Sequence, residues 1–207
     1  MPSLATVCAD IGSAAKGNFG WWSSAGESGD LPSSLVTHVA ALLNDRQPVA
    51  LGFECPLFVP LVASEMQLTS ARPGEGSRAW SAGAGCGALA TGLVQVVWVL
   101  EQVRLSLHAP VSAHLAWPTF VAANSGLFLW EAFVSGAAKH DSHSRDAQAG
   151  AEAFLASLPD PAAANAVVCT SPVYSLVGAA LLRSGWSEDT SLLRKACLVM
   201  RARPNVV

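Results

Sequence analysis

The stretch VCADIGSAAKGNFGWW, residues 7–22, decides how the rest of the chain is read. An apolar run ends at Asp10. Gly12 breaks it, small residues turn the chain around Lys16, and a second apolar run over residues 17–23 carries Trp21 and Trp22. This pattern predicts a hairpin with residues 3–10 as its first strand. A carboxylate at the end of a buried strand is costly unless it has a partner, a metal ion or an opening to solvent. Asp10 is therefore the first candidate for a functional residue.

Working outward, residues 26–34 read as a loop. They feed a helix over residues 33–44, with Leu35, Val36, Val39, Leu42 and Leu43 near helical spacing and Ser33 or Ser34 as its cap. Residues 49–53 are continuously apolar, as in a strand covered on both faces. That run ends at Glu54, and Pro56 stops it. Residues 63–85 form the longest irregular segment, hold Arg72 and Arg78, and are expected to be a mobile loop over a site. Beyond it the pattern predicts a long helix over 88–107 and strands within 111–120 and 127–136. A helix over 144–159 follows, opened by Ser144 and closed at Pro159, then a helix over 173–186 and a short strand within 194–204. There is no internal repeat or linker, so residues 1–207 are expected to be one domain. Strands alternating with helices after an initial hairpin predict an α/β domain: a mixed sheet flanked by helices.

Composition narrows the function classes. With 13% charged residues and a formal net charge of −3, the chain is not a nucleic-acid binder that works by bulk electrostatics, although a local basic groove is compatible with it. The five cysteines are scattered and form no C-x-x-C pair, which argues against a disulfide framework or structural zinc and for a reducing, cytoplasmic setting. No basic segment followed by an apolar core opens the chain, so no signal peptide is expected. Residues 79–100 carry no charge and are long enough to span a bilayer. Their first half is rich in small residues and Gln95 interrupts the second, so they are read as a buried helix and no membrane partner is expected.

Asp10 and Glu54 end two apolar runs. If those strands lie side by side and parallel, both carboxylates emerge at the edge where open α/β sheets bind ligands. Two carboxylates there repel each other unless a hard cation sits between them. Mg²⁺ or Mn²⁺ accepts such oxygens and leaves room for phosphate. Two ions about 4 Å apart can activate water and steady the leaving oxygen in phosphodiester hydrolysis. The structural alternative is that each carboxylate caps a turn by accepting backbone N–H bonds.

The order of elements, with an acidic end to the first strand, a Gly-turned hairpin, a helix and then ALGFECPLFVP, resembles ribonuclease-H-like folds. More narrowly it resembles the predicted-nuclease family of that fold labelled DUF429. The matching stretches are ADIGSAAKGNFGWW, the acid-then-Pro-Leu turn in FECPLFVP, the strand LFLWEAFVSG with Glu131, and KHDSHSRDAQAGAEAFL. The resemblance implies a metal-dependent nuclease or phosphodiesterase acting on nucleic acid or another phosphate-containing substrate. Asp10, Glu54 and Glu131 would be its catalytic and metal-holding residues. In such folds the last helix commonly begins with an Asp that completes the site. The matching stretch here is SPVYSLVGAALL, with Ser175 at that position, which implies a degenerate site. Asp146 is then a substitute ligand, three residues after His143 on one helical face. His143 itself, within the polar run KHDSHSRD, reads as a solvated residue.

Other residues carry weaker signals. Trp21 and Trp22 adjoin in a strand, so one faces inward and one outward. The outward ring is expected to cover the sheet rather than stack on a base. Lys16 reads as a solvated turn lysine. Arg72 and Arg78 are the loop's candidates for a bidentate phosphate clamp. GAGCGALATG lacks the ending of a phosphate-cradling loop and reads as the small-residue start of a helix. No serine sits in a G-x-S-x-G elbow. Two further functions remain open: a non-catalytic binding or assembly protein, which Ser175 and the low charge favour, and phosphotransfer. DIGSAAKGNFG is also similar to the first phosphate loop of the actin and sugar-kinase superfamily, whose members need two such domains.

Overall fold

The computed structural model describes residues 3–204. Strand β1 (Ala5–Asp10) is buried along its whole length and lies between two partners. On one side the hairpin returns as β2 (Gly20–Ser23), antiparallel, followed by the two-residue β3 (Ser28–Gly29). On the other side β4 (Val49–Glu54) runs parallel to it. β7 (Leu127–Phe133) continues the sheet beside β4, and β6 (Ala113–His114) and β9 (Val199–Arg201) pair along its far edge, all parallel. The strand order is β3-β2-β1-β4-β7-β6. An α/β mixed sheet of the ribonuclease-H-like kind, with an N-terminal hairpin and flanking helices, is thus the architecture. A separate two-stranded ribbon joins β5 (Phe58–Pro60) to β8 (Val173–Ser175).

The helices divide between the two faces by side-chain parity. Val7, Ala9, Leu51, Phe53 and Leu129 face α1 (Pro32–Asn44), α2 (Gly83–Leu105) and α5 (Leu176–Arg183), and share a core with Leu35, Val39, Val99, Leu100 and Leu181. Cys8, Ala50, Phe128, Trp130 and Ala132 face the other way. They pack with Ala147, Ala151 and Phe154 of α4 (His143–Ala156) and with Phe120 of α3 (Trp117–Ala123). Gly52 has no side chain because the Trp130 ring lies over it: a Cβ there would fall 2.4 Å from the indole. Gly150 brings α4 onto the sheet in the same way, close to Ala132 and Cys8.

Several expected boundaries moved for identifiable reasons. α1 begins at Pro32, with Leu31 as the N-cap residue and no side-chain cap. Ser34 instead donates to the Leu31 carbonyl and accepts from the Trp21 indole. Trp21 is buried on this hydrogen bond while Trp22 is half-buried on the α4 side, so the two rings do part to opposite faces. Residues 111–120 are not one strand. Pro118 pre-sets the first turn of α3, which leaves only Ala113 and His114 to pair. The small-residue run GAGCG is already helical, so α2 starts five residues before expected.

Among the described residues α2 alone is long and apolar enough to cross a membrane. One side of it, Val96, Val99, Leu100 and Val103, is buried against the domain, while Val94 and Trp98 on the other side are exposed. The expectation of a buried helix holds for one face only.

Candidate functional site

The parallel register of β1 and β4 places Asp10 beside Glu54 at the carboxyl edge of the sheet. Both carboxylates therefore leave the sheet on the same face, the one that α4 covers. Both are nearly buried, with side-chain exposures of 6% and 11%. Burial pushes the Asp10 carboxyl above its usual range, against the pull of Lys139 and His143. Burial, reinforced by the charge on Asp10, pushes Glu54 well above its usual range. Oε2 of Glu54 is buried without a hydrogen-bond partner among the described residues.

α4 brings the remaining groups. Its first residue, His143, holds Nδ1 2.6 Å from Asp10 Oδ2. In its first turn Asp146, buried, accepts from the His140 backbone N–H at 2.6 Å and from Lys139 Nζ at 2.8 Å. One ligand atom from each of Asp10, His143 and Asp146 lies within 4.8 Å of the others. Lys139, just after the one-turn 3₁₀ segment Gly136–Ala138, reaches into this group. Its Nζ lies 2.7 Å from Glu54 Oε1 and 3.8 Å from Asp10 Oδ2. Burial weakens the ammonium, but Glu54 and Asp10 outweigh burial and hold its pKa above the ordinary lysine value.

His143 is thus not the solvated residue its polar neighbourhood suggests. It is half-buried against Asp10, and only the approach of α4 to β1 and β2 reveals it. Asp146, the substitute ligand, joins the cluster. Ser175 does not stand where a ligand is missing. It is fully buried on the β5–β8 ribbon, and its Oγ caps α5 by accepting from the Gly178 N–H. The helix that follows the long strand β7 and packs beside the site is α4, and it carries an acid in its first turn. Ser175 thus serves as a helix cap, and Asp146 is the acid that α4 brings beside Asp10.

Glu131 is the clear correction. Its register partner is Phe53, one position before Glu54, so strand alternation turns it to the opposite face from Asp10 and Glu54. There it accepts from Arg72 with both oxygens and from the Leu57 N–H at 2.9 Å. Ala132 is the β7 residue on the α4 side. Arg72 is corrected with it. It is 1% exposed, paired with Glu131 and Glu75 and stacked on the Phe58 ring, so its guanidinium is already engaged in anchoring the long loop. Arg78 remains exposed.

The cluster opens into a cavity of about 650 Å³. Asp10, Glu54, Lys139 and His143 line it together with Arg78, Trp80 and the first turns of α2, and the Arg72–Glu131 pair also borders it. Pockets of this size accept small organic ligands.

The residues gathered here could hold a metal ion. Asp10, His143 and Asp146 each bring one ligand atom close to the others, and Glu54, beside Asp10 on the neighbouring strand, adds a buried carboxylate oxygen with no partner among the described residues. Compared with known proteins, the chain matches no family model, no curated relative and no solved structure.

Proposed function

We propose that this protein is a divalent-cation-dependent phosphodiester hydrolase of the DUF429-like kind, with Mg²⁺ or Mn²⁺ held by Asp10, Glu54 and Asp146. The observation that carries this reading is the Asp10–Glu54 pair on neighbouring parallel strands, completed by an acid and a histidine from the start of α4. Held there, such an ion would supply Lewis-acid polarisation of a phosphoryl oxygen and lower the pKa of a water molecule.

The chain's own residues do the rest. Asp10 fixes His143 through Nδ1, which leaves Nε2 with the lone pair when the ring is neutral and Nδ1 donates. His143 is then the base that takes a proton from the attacking water, and Asp10 stabilises the imidazolium that results. Arg78, exposed and lining the cavity, would be the group that meets a phosphate oxygen. Nucleic acid or a smaller phosphate ester is the substrate class. Cys8, Cys55 and Cys197 are buried and all five cysteines are free thiols, which supports a reducing, cytoplasmic location.

One observation favours a second reading, a non-catalytic binding protein. The Lys139 ammonium already neutralises part of the charge on three carboxylates. A single experiment separates the two: calorimetric titration of Mn²⁺ into wild type and Asp10→Ala, alongside hydrolysis of bis(p-nitrophenyl) phosphate and of labelled DNA and RNA. Mn²⁺-dependent turnover that Asp10→Ala abolishes supports the hydrolase. Absence of both binding and turnover in the wild type leaves the scaffold reading.

A further inference from the structure

The geometry points to Lys139 as a built-in competitor for the metal ion: its ammonium occupies the ion's place and must swing out before the ion can bind. The inference rests on the metal reading above and adds the residue that sets the affinity of that site.

The carboxylates involved are the same ones. Lys139 Nζ lies 2.7 Å from Glu54 Oε1, 2.8 Å from Asp146 Oδ2 and 3.8 Å from Asp10 Oδ2. A divalent cation bonded to these atoms at roughly 2.0–2.2 Å would stand against the ammonium, charge to charge. The two cations are therefore mutually exclusive in that place. Lys139 also leaves the site incompletely satisfied. Three carboxylates face one ammonium, and Glu54 Oε2 keeps no partner. A divalent ion supplies more charge and more bonding directions than the lysine does.

The side chain has somewhere to go, and the backbone does not need to follow. Lys139 is 41% exposed and lines the cavity. Ala138 before it is buried against Val134 and Ala202, and the His140 N–H after it is bound to Asp146. Rotation about the lysine side-chain bonds is enough to carry the ammonium into the cavity. There it joins Arg78 as a cation facing an incoming phosphate.

The chain has three lysines, Lys16, Lys139 and Lys195, which makes the test direct. Wild-type protein is treated briefly with acetic anhydride at increasing Mn²⁺, and acetylation at each lysine is read by mass spectrometry. An ammonium bonded to two carboxylates is protected, so Lys139 is expected to become several-fold more reactive as Mn²⁺ saturates, with Lys16 and Lys195 unchanged as internal references. In parallel, Mn²⁺ is titrated into Lys139→Met by calorimetry, with an expected gain in affinity of tenfold or more over wild type. Two results overturn the inference while leaving the metal site intact: Mn²⁺ binds with Lys139 reactivity unchanged, or it binds Lys139→Met no more tightly than wild type. If neither protein binds Mn²⁺, the metal reading falls and this inference falls with it. Should Lys139→Met fail to fold, the acetylation of the wild type decides alone.

Discussion

Gly20 and His143 are in such close approach that a Cβ on Gly20 would fall 2.4 Å from the His143 carbonyl carbon and 2.3 Å from the Ser144 nitrogen. Gly20 is also the register partner of Asp10 across the hairpin. The start of α4 can therefore reach Asp10 only because β2 has a glycine opposite it. Gly20→Ala is expected to push α4 outward and to destabilise the fold by about 1–3 kcal/mol. Mn²⁺ affinity should fall by about tenfold, which corresponds to 1.4 kcal/mol. Urea unfolding and calorimetry measure the two effects, and unchanged affinity in a folded variant would refute the positioning role.

Asp146 holds the Lys139–His140 turn with one oxygen each to the ammonium and the N–H. Asp146→Asn keeps an acceptor for the His140 N–H but loses the charge. Mn²⁺ binding is expected to weaken by at least about tenfold, in the range seen when groups supporting a metal site are removed. A purely structural role for Asp146 predicts a lowered melting temperature with no change in Mn²⁺ affinity.

Arg72 is placed between two buried carboxylates, Glu75 and Glu131. Removing it strands both of them. Arg72→Met is expected to cost about 3–5 kcal/mol of stability, the usual penalty for breaking a buried pair on one side. The Mn²⁺ stoichiometry of whatever remains folded should not change. Glu131→Gln should likewise destabilise without affecting Mn²⁺ affinity. A large loss of affinity in Glu131→Gln would restore that residue as a ligand.

Burial and the neighbouring Asp10 raise the Glu54 pKa in the folded state above the ordinary 4.5 of glutamic acid. Between about pH 4.5 and the folded pKa the folded protein holds a proton that the unfolded chain releases, so stability must fall as pH rises through that window. Glu54→Gln, which cannot ionise, is expected to flatten that part of the stability–pH curve. Mn²⁺ binding to the wild type should release a proton and tighten with rising pH over the same window. Calorimetry in buffers of different ionisation enthalpy reads the proton directly. No proton release would show that Glu54 is already ionised.

The hairpin and the buried strand over residues 49–53 were legible because each depends on local pattern, while the pairing of Asp10 with Glu54 was legible only on the condition that their strands are parallel neighbours. A continuous apolar run closed by one acid specifies a strand end wherever it occurs, and two such ends beside each other need only parallel pairing to meet. Asp146 was half-legible, since its helix is clear in the sequence but the helix's place over β1 is not. His143 and Lys139 were not legible. Both sit in a polar segment with the composition of a solvated turn, and only the contact of α4 with β1 and β2 turns them toward Asp10.

The amino-acid sequence by itself determined the α/β class, the strand ends and the acids that close them, because periodicity and burial act over a few neighbouring residues. The tertiary structure alone decided which carboxylates act together. A shift of one residue in register sends Glu131 to the opposite face and into the hands of Arg72, while a chain reversal of many residues returns Lys139, His143 and Asp146 to Asp10 and Glu54. Charges interact through space and across a pleat, so no reading along the chain could have sorted them.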